Sequence, residues 1–434
     1  FRSGDQVLAR VIKKKKSFAD AKIIELLEKS SLRTEPRCKY FGTCGGCKQQ
    51  NLFYKDQLIF KQEQVDEIYQ RLGGFSGYVM EEIIPSKNIF FYRNKMDFSF
   101  ADKKWLTEDE IKSGEIFDRD FALGLHIPNM FDKVLDIDEC FLQSELSNRI
   151  LNFTREFFKT KNTSIYTTKT HSGYLRNLVI KQASNTNDLM VNLVTSNDDD
   201  ELMMSFTSEL TKAFPEITTF INNINTTKAL IAVGNYEKIF FGDGYIYDKI
   251  GKYKFRISAN SFFQTSTLQA ENLYQKTLEF CEFESDEIVY DLYSGAGTIS
   301  IFVSEYVKNV FGFEVVDSSV KDAELNREIN NISNVYSFKA DLYSTFLPLV
   351  KLHNLPNPTT IILDPPRSGM HANTVNDVIN LSPKKIVYVS CNPTTQVRDL
   401  KLFADAGYQL IKICPVDMFP HTYHIETVAL LRKI

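Results

Sequence analysis

A cysteine and a glutamate near the end of the sequence have the types and setting that covalent chemistry requires. Cys391 lies in the segment Ser-Cys-Asn-Pro (390–393), and Glu426 closes the segment Phe-Pro-His-Thr-Tyr-His-Ile-Glu (419–426). A thiolate can add to an electron-poor carbon, and a carboxylate can later remove a proton from the adduct. We therefore predict that Cys391 is a nucleophile and that Glu426 is a general base.

Cys391 and the histidines near Glu426 also have a simpler structural interpretation. A cysteine at a strand end is most often a small buried apolar residue, and the histidines of the second segment, His421 and His424, can serve as hydrogen-bonding residues that stabilise a loop. Two observations favour chemistry. Cys391 falls at the ligand-facing edge of a predicted sheet, and Glu426 adjoins an apolar strand where desolvation would raise its basicity.

The C-terminal part of the chain alternates regularly between strands and helices, and this pattern predicts how the reactive residues are positioned. It indicates an α/β fold with a parallel sheet that carries helices on both faces. The last two strands are joined by a short loop and are therefore expected to pair antiparallel. The predicted strands are 287–293, 310–314, 336–341, 360–364, 385–390, 409–416 and 427–433, and the predicted helices are 266–281, 298–307, 318–331, 372–380 and 395–406.

A glycine-containing turn follows the first of these strands. The segment Asp-Leu-Tyr-Ser-Gly-Ala-Gly-Thr (291–298) is shorter than a dinucleotide-binding turn and lacks the lysine of a triphosphate-binding loop. A tight turn without a ligand is the simpler interpretation. However, Glu314 closes the second strand, where a carboxylate can accept both ribose hydroxyls of a nucleoside, and Asp341 closes the third strand, where it can meet an adenine edge. Asp364 ends the fourth strand and is expected to point into the same crevice beside the reacting residues. The spacing predicts a site for an adenosine-bearing ligand.

Three cysteines lie close together in the N-terminal half, at Cys38, Cys44 and Cys47. Seven cysteines in a chain of 434 residues, three of them within ten residues, indicate a metal site in a reducing compartment rather than a disulfide framework. From spacing alone zinc is the default ion, and the spacing of a radical S-adenosylmethionine cluster is not met. The remaining cysteines, Cys140, Cys281, Cys391 and Cys414, are the candidates for a fourth cysteine ligand.

The length of the chain predicts two to four domains. From its composition and its first residues we expect neither a membrane-spanning nor a secretory segment. The net charge of −4 restricts nucleic-acid contacts to local patches, of which the four lysines at 13–16 are the plainest. They lie between strand-like runs at 6–12 and 21–27, which predict a hairpin.

The segments after the hairpin have weaker patterns. A helix is expected at 54–71, and a β-rich region of undetermined strand order at 83–255. The sequence begins at Phe1 without Met, so we expect a longer natural N-terminus.

Several segments together resemble the RNA uracil-5-methyltransferase family, which modifies ribosomal RNA or the T-loop of tRNA. They are the glycine turn 295–297, Asp-Pro-Pro-Arg (364–367), the segments around Cys391 and Glu426, Tyr-Arg-Asn-Lys-Met (92–96) and Phe-Phe-Gln (262–264). The resemblance implies a Rossmann-like class I methyltransferase domain. It also implies that Cys391 is the nucleophile, that Glu426 is the proton acceptor, and that S-adenosylmethionine is bound by Gln264, Tyr293, Thr298, Glu314, Asp341 and Asp364.

The chemistry of uracil explains why such a set would occur together. Its C5 is too weak a nucleophile to take a methyl group from a sulfonium directly. A thiolate that adds to C6 creates an enolate whose C5 can attack, and a base must then remove the C5 proton before the thiol is eliminated.

Further segments resemble the subset of this family that carries a structural 4Fe-4S cluster and methylates 23S rRNA. These are Cys-Gly-Gly-Cys-Lys-Gln (44–49) and Asp-Glu-Cys (138–140), and they imply cluster ligands Cys38, Cys44, Cys47 and Cys140, with Cys281 and Cys414 left in the core. The hairpin resembles the later half of a TRAM domain, an OB-like RNA-binding barrel. The expected domains are a partial TRAM domain (1–36), a β-rich central domain (37–257) and the methyltransferase domain (258–434).

We accordingly expect a cytoplasmic enzyme that methylates a uridine of 23S rRNA. The alternatives are a tRNA T-loop methyltransferase, a methyltransferase acting on DNA or a small molecule, and a non-catalytic RNA-binding protein. The basic hairpin disfavours the second, and the presence of every expected catalytic residue disfavours the third.

Overall fold

The N-terminal segment forms the predicted hairpin. In the computed structural model, which describes residues 4–16, 18–128, 130–229 and 231–434, β1 (Gln6–Lys14) pairs antiparallel with β2 (Ala19–Glu28). Apolar side chains such as Leu8, Ile12 and Leu27 are exposed on this hairpin. The expectation about Phe1 and any chain before it lies outside the described residues. The predicted helix follows as α1 (Tyr54–Glu67), which ends in a π-helical turn (Ile68–Leu72) before Gly73, and a short strand β3 (Val79–Met80) comes next.

The central region is built on one seven-stranded sheet with the order β10-β9-β8-β7-β4-β5-β6. Its strands are largely antiparallel, and the exception is the parallel pair β8 and β9, which a helix connects. The region is less purely β than its sequence predicts, because two long helices pack on the sheet. Its elements are β4 (Lys95–Ala101), α2 (Glu108–Ser113), β5 (Ala122–Ile127), β6 (Met130–Asp136), α3 (Glu145–Thr160), β7 (Leu175–Gln182), β8 (Leu189–Thr195), α4 (Asp200–Ala213), β9 (Thr219–Ile224) and β10 (Tyr236–Phe241).

The C-terminal region follows the predicted alternation closely. Its elements are β11 (Tyr245–Ile250), β12 (Tyr253–Ser258), α5 (Thr267–Cys281), β13 (Ile288–Leu292), α6 (Thr298–Val303), β14 (Asn309–Glu314), α7 (Asp317–Ile329), β15 (Val335–Lys339), α8 (Leu347–Leu352), β16 (Thr360–Leu363), α9 (Ala372–Leu381), β17 (Lys385–Ser390), α10 (Pro393–Asp405), β18 (Tyr408–Val416) and β19 (Glu426–Lys433). Strands β13 to β19 and β3 form an eight-stranded sheet with the order β15-β14-β13-β16-β17-β19-β18-β3. This confirms the predicted α/β, Rossmann-like domain.

The topology of this sheet places the predicted site residues at one edge. Strands β13 to β17 are parallel, so their carboxyl ends meet there. The last strand, β19, runs antiparallel to β17 and therefore begins at the edge where β17 ends. Apolar strand residues such as Ile362 and Val387 are fully buried and hold this framework rigid. Within the described residues, no helix is both long and apolar enough to cross a membrane.

Candidate active site

Cys391 and Glu426 lie side by side at this edge of the sheet. The ladder between β17 and β19 ends with Ser390 paired to Thr427. Cys391 and Glu426 are the next residues on the two strands, so antiparallel pairing brings them together. The Cys391 side chain is partly exposed, whereas Glu426 is buried. A group that enters the crevice can therefore reach the thiol first, with the carboxyl group beside it.

The electrostatics of the crevice favour the protonated form of both groups. Burial raises the pKa of Cys391 to about 11, and the neighbouring carboxylates of Glu426 and Asp364 contribute to this rise, while Arg367 opposes it. The pKa of Glu426 is raised well above its ordinary value, chiefly by burial and secondarily by Asp364. A carboxyl group with a raised pKa is a stronger base once ionised. The desolvation that the sequence suggested for Glu426 is thus present.

Asp364 is the second acid of the crevice and directly follows β16. Burial raises its pKa to about 7, with a further contribution from Asp291. Pro365 and Pro366 follow it at once and fix the chain as it leaves the strand. Two carboxyl groups that act on each other in a desolvated crevice resist ionising together, so Asp364 and Glu426 together can hold or release a proton at the reacting edge.

The glycine turn after β13 has the geometry of a ligand-binding turn. Gly295 and Gly297 both have positive φ, 54° and 76°, and a Cβ added to Gly297 would lie 3.0 Å from the Cβ of Ala323 on α7. Gly297 thus lets the turn pack against α7, whereas a Cβ at Gly295 would meet nothing within 4 Å, so the backbone there is open to a ligand. Glu314, at the end of β14, accepts the N–H groups of Gly295 (3.0 Å) and Val316 (2.8 Å). Its carboxylate is fixed beside the turn and keeps lone pairs for ribose hydroxyls.

The remaining predicted cofactor residues occupy different settings. The hydroxyl groups of Thr298 and Tyr274 are 2.9 Å apart at the start of α6. Tyr293 is half-buried in the turn with a positive φ of 65°. Gln264 is held through its backbone carbonyl, which accepts the Asn94 side-chain amide at 2.7 Å. Asp341 was predicted to close its strand, but β15 ends at Lys339, so Asp341 lies two residues beyond it. It is exposed and accepts the Tyr343 N–H at 2.9 Å within its own turn.

A further acid was quoted in the sequence motif but not predicted as a site residue. Asp291 is fully buried at the end of β13, where Oδ2 accepts the Ser300 hydroxyl at 2.5 Å and Oδ1 has no partner among the described residues. Burial raises its pKa to about 7. An unpartnered buried oxygen beside a glycine turn suits a cationic or hydrogen-bonding ligand group. Its position two residues before the turn is the sequence signal from which Asp291 could have been predicted as a site residue.

The four cysteines predicted as metal ligands line one cavity of about 330 Å³, although Cys140 comes from a distant part of the chain. Cys44 and Cys140 are buried, and the thiols of Cys38, Cys44 and Cys140 lie near enough to Cys47 to act on it electrostatically. Gly45 is needed here because an added Cβ would lie 2.8 Å from the carbonyl oxygen of His126.

No group of three or more His, Cys, Asp or Glu side chains in the described part of the chain is arranged to hold a metal ion. Cys281 and Cys414 are buried in the core, as predicted.

Comparisons with known proteins agree with this geometry. The sequence pattern of the tRNA (Uracil-5-)-methyltransferase family matches residues 186–434. An uncharacterized RNA methyltransferase of Chlorobaculum tepidum is 42% identical over 99% of this chain and 89% of its own length. One from Bacteroides thetaiotaomicron is 40% identical over 99% of this chain and 94% of its own length. The chain belongs to the RNA uracil-5-methyltransferase family.

A solved structure of the same kind shares nearly the whole fold. The Pyrococcus abyssi tRNA (uracil-54, C5)-methyltransferase in complex with S-adenosyl-L-homocysteine is 29% identical, with a TM-score of 0.74 over 99% of this chain and 93% of that chain. Because the match extends across the N-terminal half, it covers the cysteine-lined cavity as well as the methyltransferase sheet. The resemblance noted from the sequence motifs is thereby confirmed at the level of the family and of the fold.

The thiol of this RNA uracil-5-methyltransferase is expected to be unreactive without substrate. With a pKa of about 11, Cys391 should be alkylated by iodoacetamide at pH 7 roughly two to three orders of magnitude more slowly than an ordinary thiol, because few thiolates form. At pH 9, Glu426→Gln should speed alkylation by removing a neighbouring negative charge, and Arg367→Met should slow it. Mass spectrometry of the Cys391 peptide measures both rates; a shift in the same direction for the two variants would contradict this account.

Proposed function

We propose that this RNA uracil-5-methyltransferase methylates C5 of a uridine in 23S rRNA, with Cys391 as the nucleophile and Glu426 as the base. The observation that carries the proposed chemistry is the juxtaposition of Cys391 and Glu426 at the ends of two paired strands, with Asp364 in the same crevice. The choice of 23S rRNA rests on the resemblance of the cysteine segments and the N-terminal hairpin to the subset of the family that methylates this RNA. The family's reaction needs these two groups within reach of one pyrimidine ring, on its C6 and C5 atoms.

The proposed reaction begins when the Cys391 sulfur forms a bond to C6 of the target uracil. The thiol proton leaves to an ionised carboxylate of the crevice or to water, and Arg367 favours the thiolate. The C5–C6 double-bond electrons move onto the C4 carbonyl as an enolate, which makes C5 nucleophilic. C5 would then take the methyl group of S-adenosylmethionine, with the S–CH3 bond broken and S-adenosylhomocysteine as the leaving group. Glu426 then takes the C5 proton, and the electrons re-form the C5–C6 bond as the sulfur leaves C6.

The proposed cofactor residues surround the glycine turn. Gly295 leaves the backbone open to a ligand, and Glu314 presents a fixed carboxylate for ribose hydroxyls. We add Asp291 to the proposed set because its buried Oδ1 has no partner among the described residues. Gln264, Tyr293, Thr298, Asp341 and Asp364 complete the set proposed from the sequence.

The substrate is tested by offering both RNA classes. Unmodified 23S rRNA and tRNA transcripts, incubated with the enzyme and labelled S-adenosylmethionine, should show label in the 23S rRNA, and mapping of 5-methyluridine should locate one or a few sites. Label confined to uridine 54 of tRNA would favour the second candidate, which the Pyrococcus abyssi tRNA (uracil-54, C5)-methyltransferase supports by its similarity. Label in DNA, or in neither RNA, would contradict the proposal. An RNA substrate is consistent with the cytoplasmic location expected from the sequence, which stays part of the proposal.

We further propose that Cys38, Cys44, Cys47 and Cys140 hold a 4Fe-4S cluster that cross-links the cysteine-rich segment to the central sheet. The four thiols line one cavity of about 330 Å³. The resemblance of the segments around Cys44 and Cys140 to the cluster-bearing subset of the family supports iron and sulfide rather than the single zinc ion that the spacing alone suggested. The proposed role is structural, since uracil methylation needs no electron.

Metal analysis provides the next prediction. Anaerobically purified protein is expected to be brown, with iron and acid-labile sulfide in near-equal amounts. Cys140→Ser should lose most of both, whereas Cys281→Ala, which removes a buried thiol outside the cavity, should retain them. Stoichiometric zinc without sulfide would contradict the prediction.

The hairpin lysines provide a prediction about RNA binding. The side chains of the four lysines at 13–16 are exposed at the hairpin turn, so we propose that they contact phosphates. Alanine at all four should reduce the salt-dependence slope of RNA binding by roughly three, because each phosphate contact contributes about 0.7–0.9. Alanine at the exposed Lys308 and Lys351 should leave the slope unchanged. An unchanged slope in the four-alanine variant would make the patch a solvated turn.

A further inference from the structure

The loop that leads to Glu426 is held by a part of the chain more than 300 residues away in sequence. This loop, residues 417–425, joins β18 to β19 and ends directly before the proposed base. Within it His421 has a positive φ of 66° although it is not a glycine. Such a conformation is costly and persists only where surrounding contacts impose it.

Gln57 of α1 imposes part of this conformation with one fully buried side chain. Its Nε2 donates to the carbonyl oxygens of Gln49 and Leu52, both at 3.0 Å, and its Oε1 accepts the backbone N–H of His421 at 2.9 Å. The backbone partners fix the orientation of the amide, because carbonyls can only accept and the N–H can only donate. Gln57 thus ties the segment after the cysteines to the strained residue.

Lys61, one turn further along α1, makes the second set of contacts with the loop. It is 1% exposed, and its Nζ donates to Oδ1 of Asp417 at 2.6 Å and to the carbonyl oxygen of Phe419 at 3.2 Å. The other oxygen of Asp417 accepts the Tyr54 hydroxyl at 2.8 Å. A buried ion pair with all these bonds made has a narrow range of allowed geometries, so it sets where the loop begins.

The cysteine-rich segment makes a third set of contacts with the loop, through backbone hydrogen bonds. The N–H groups of Lys48 and Gln49, which directly follow Cys47, both donate to the carbonyl oxygen of His421, at 2.8 and 2.9 Å. The Tyr92 hydroxyl donates to the carbonyl oxygen of Pro420 at 3.1 Å. The loop is therefore held at its start and at its strained residue, while Cys391 directly follows β17 and lies outside these contacts.

We propose that Gln57 and Lys61 are positioning residues for Glu426, and that they govern removal of the C5 proton rather than addition of Cys391. The inference rests on the proposed function, in which Glu426 acts only after methyl transfer. Loosening the loop should displace the base while leaving the nucleophile and the glycine turn in place. Such variants should add to the RNA and accept a methyl group, yet release product slowly.

The experiment follows the fate of the adduct in Gln57→Leu and Lys61→Met. Each is compared with a matched change at an exposed position of the same helix, Gln64→Leu or Lys55→Met. With labelled RNA and labelled S-adenosylmethionine, we expect both positioning variants to accumulate a methylated, protein-linked RNA on a denaturing gel and to lose at least tenfold in turnover. The Kd for S-adenosylhomocysteine should stay within twofold of that of the wild type. The control variants should turn over normally without the band.

The outcomes separate this inference from the proposed function. Suppose that Glu426→Gln accumulates the adduct. The inference is then wrong, and the proposed function stands, if both positioning variants turn over normally. The same conclusion holds if they lose adduct formation together with turnover while still binding S-adenosylhomocysteine. If Glu426→Gln itself gives no adduct and turns over normally, the proposed function fails. Lys61→Met leaves Asp417 buried without its cation, so Gln57→Leu is the decisive variant if the former does not fold. A Gln57→Leu protein that also failed to fold would overturn the inference.

Discussion

Replacement of Cys391 by alanine is expected to abolish methylation and to remove every covalent RNA–protein product. Without the sulfur no bond to C6 can form, and the uracil C5 stays too poor a nucleophile to attack the methyl donor. Cys391 is the only cysteine that the structure places beside Glu426 and Asp364 among the described residues. Methyl incorporation into RNA should fall to the level of a reaction without enzyme, in both single-turnover and steady-state measurements.

Two observations decide whether that loss is chemical. The Cys391→Ala protein should bind S-adenosylhomocysteine and RNA as tightly as the wild type, because the thiol is partly exposed and holds neither the glycine turn nor the hairpin. Cys391→Ser should be similarly inactive, since a hydroxyl is far harder to ionise than a thiol. Methylation by the alanine variant would show that this protein does not use a covalent path.

The methyltransferase sheet could be predicted from sequence because local patterns determine it. Segments such as β13, β16 and β17 are short, buried, mainly apolar runs bounded by turn residues, and each is followed by a helix. Such βα units allow essentially one handedness of connection, so strand ends, and hence Glu314, Asp364 and Cys391, had to meet at one edge.

The central sheet could not be ordered in this way because its pairings are long-range. β4 lies between β5 and β7, and no local pattern specifies that arrangement. The helix α3 was missed although its signals were present: Ser144 caps its first turn, and Ile150, Leu151, Phe157 and Phe158 recur at helical spacing. The apolar and β-branched residues of neighbouring segments favoured a β-rich interpretation instead. The edge strand β3, of two residues, carries too little pattern to detect.

The residues of the candidate site also differ in how well the sequence predicts them. Residues at strand ends could be predicted from local patterns, whereas residues that contact the site from distant parts of the chain could not. In the sequence Gln57 and Lys61 look like ordinary polar residues of a largely polar helix, and only the structure shows their burial against the 417–425 loop. The cavity of four cysteines was anticipated by family resemblance, because spacing alone left four candidates for the fourth ligand. The assignment of its cluster and the domain boundaries at 36/37 and 257/258 stay predictions.

Replacement of Glu426 by glutamine is expected to stop the reaction after methyl transfer and to trap the enzyme on its product. Glutamine has nearly the same shape and can occupy the buried position at the start of β19, but it cannot take the C5 proton. Elimination of the Cys391 sulfur should slow by about 10²–10⁴-fold, the usual contribution of a positioned base. Each enzyme molecule should therefore incorporate up to one methyl group and remain linked to the RNA.

A denaturing gel with doubly labelled substrates distinguishes this stall from a general loss of function. The Glu426→Gln band should carry both the RNA label and the methyl label, because methyl transfer precedes the lost step. The double variant Cys391→Ala with Glu426→Gln should give no band, since the bond to C6 is then absent. Glu324→Gln, a matched change at an exposed position on α7, should turn over normally. A Glu426→Gln band that carries RNA without methyl would place Glu426 before methyl transfer, and normal turnover would show that another group is the base.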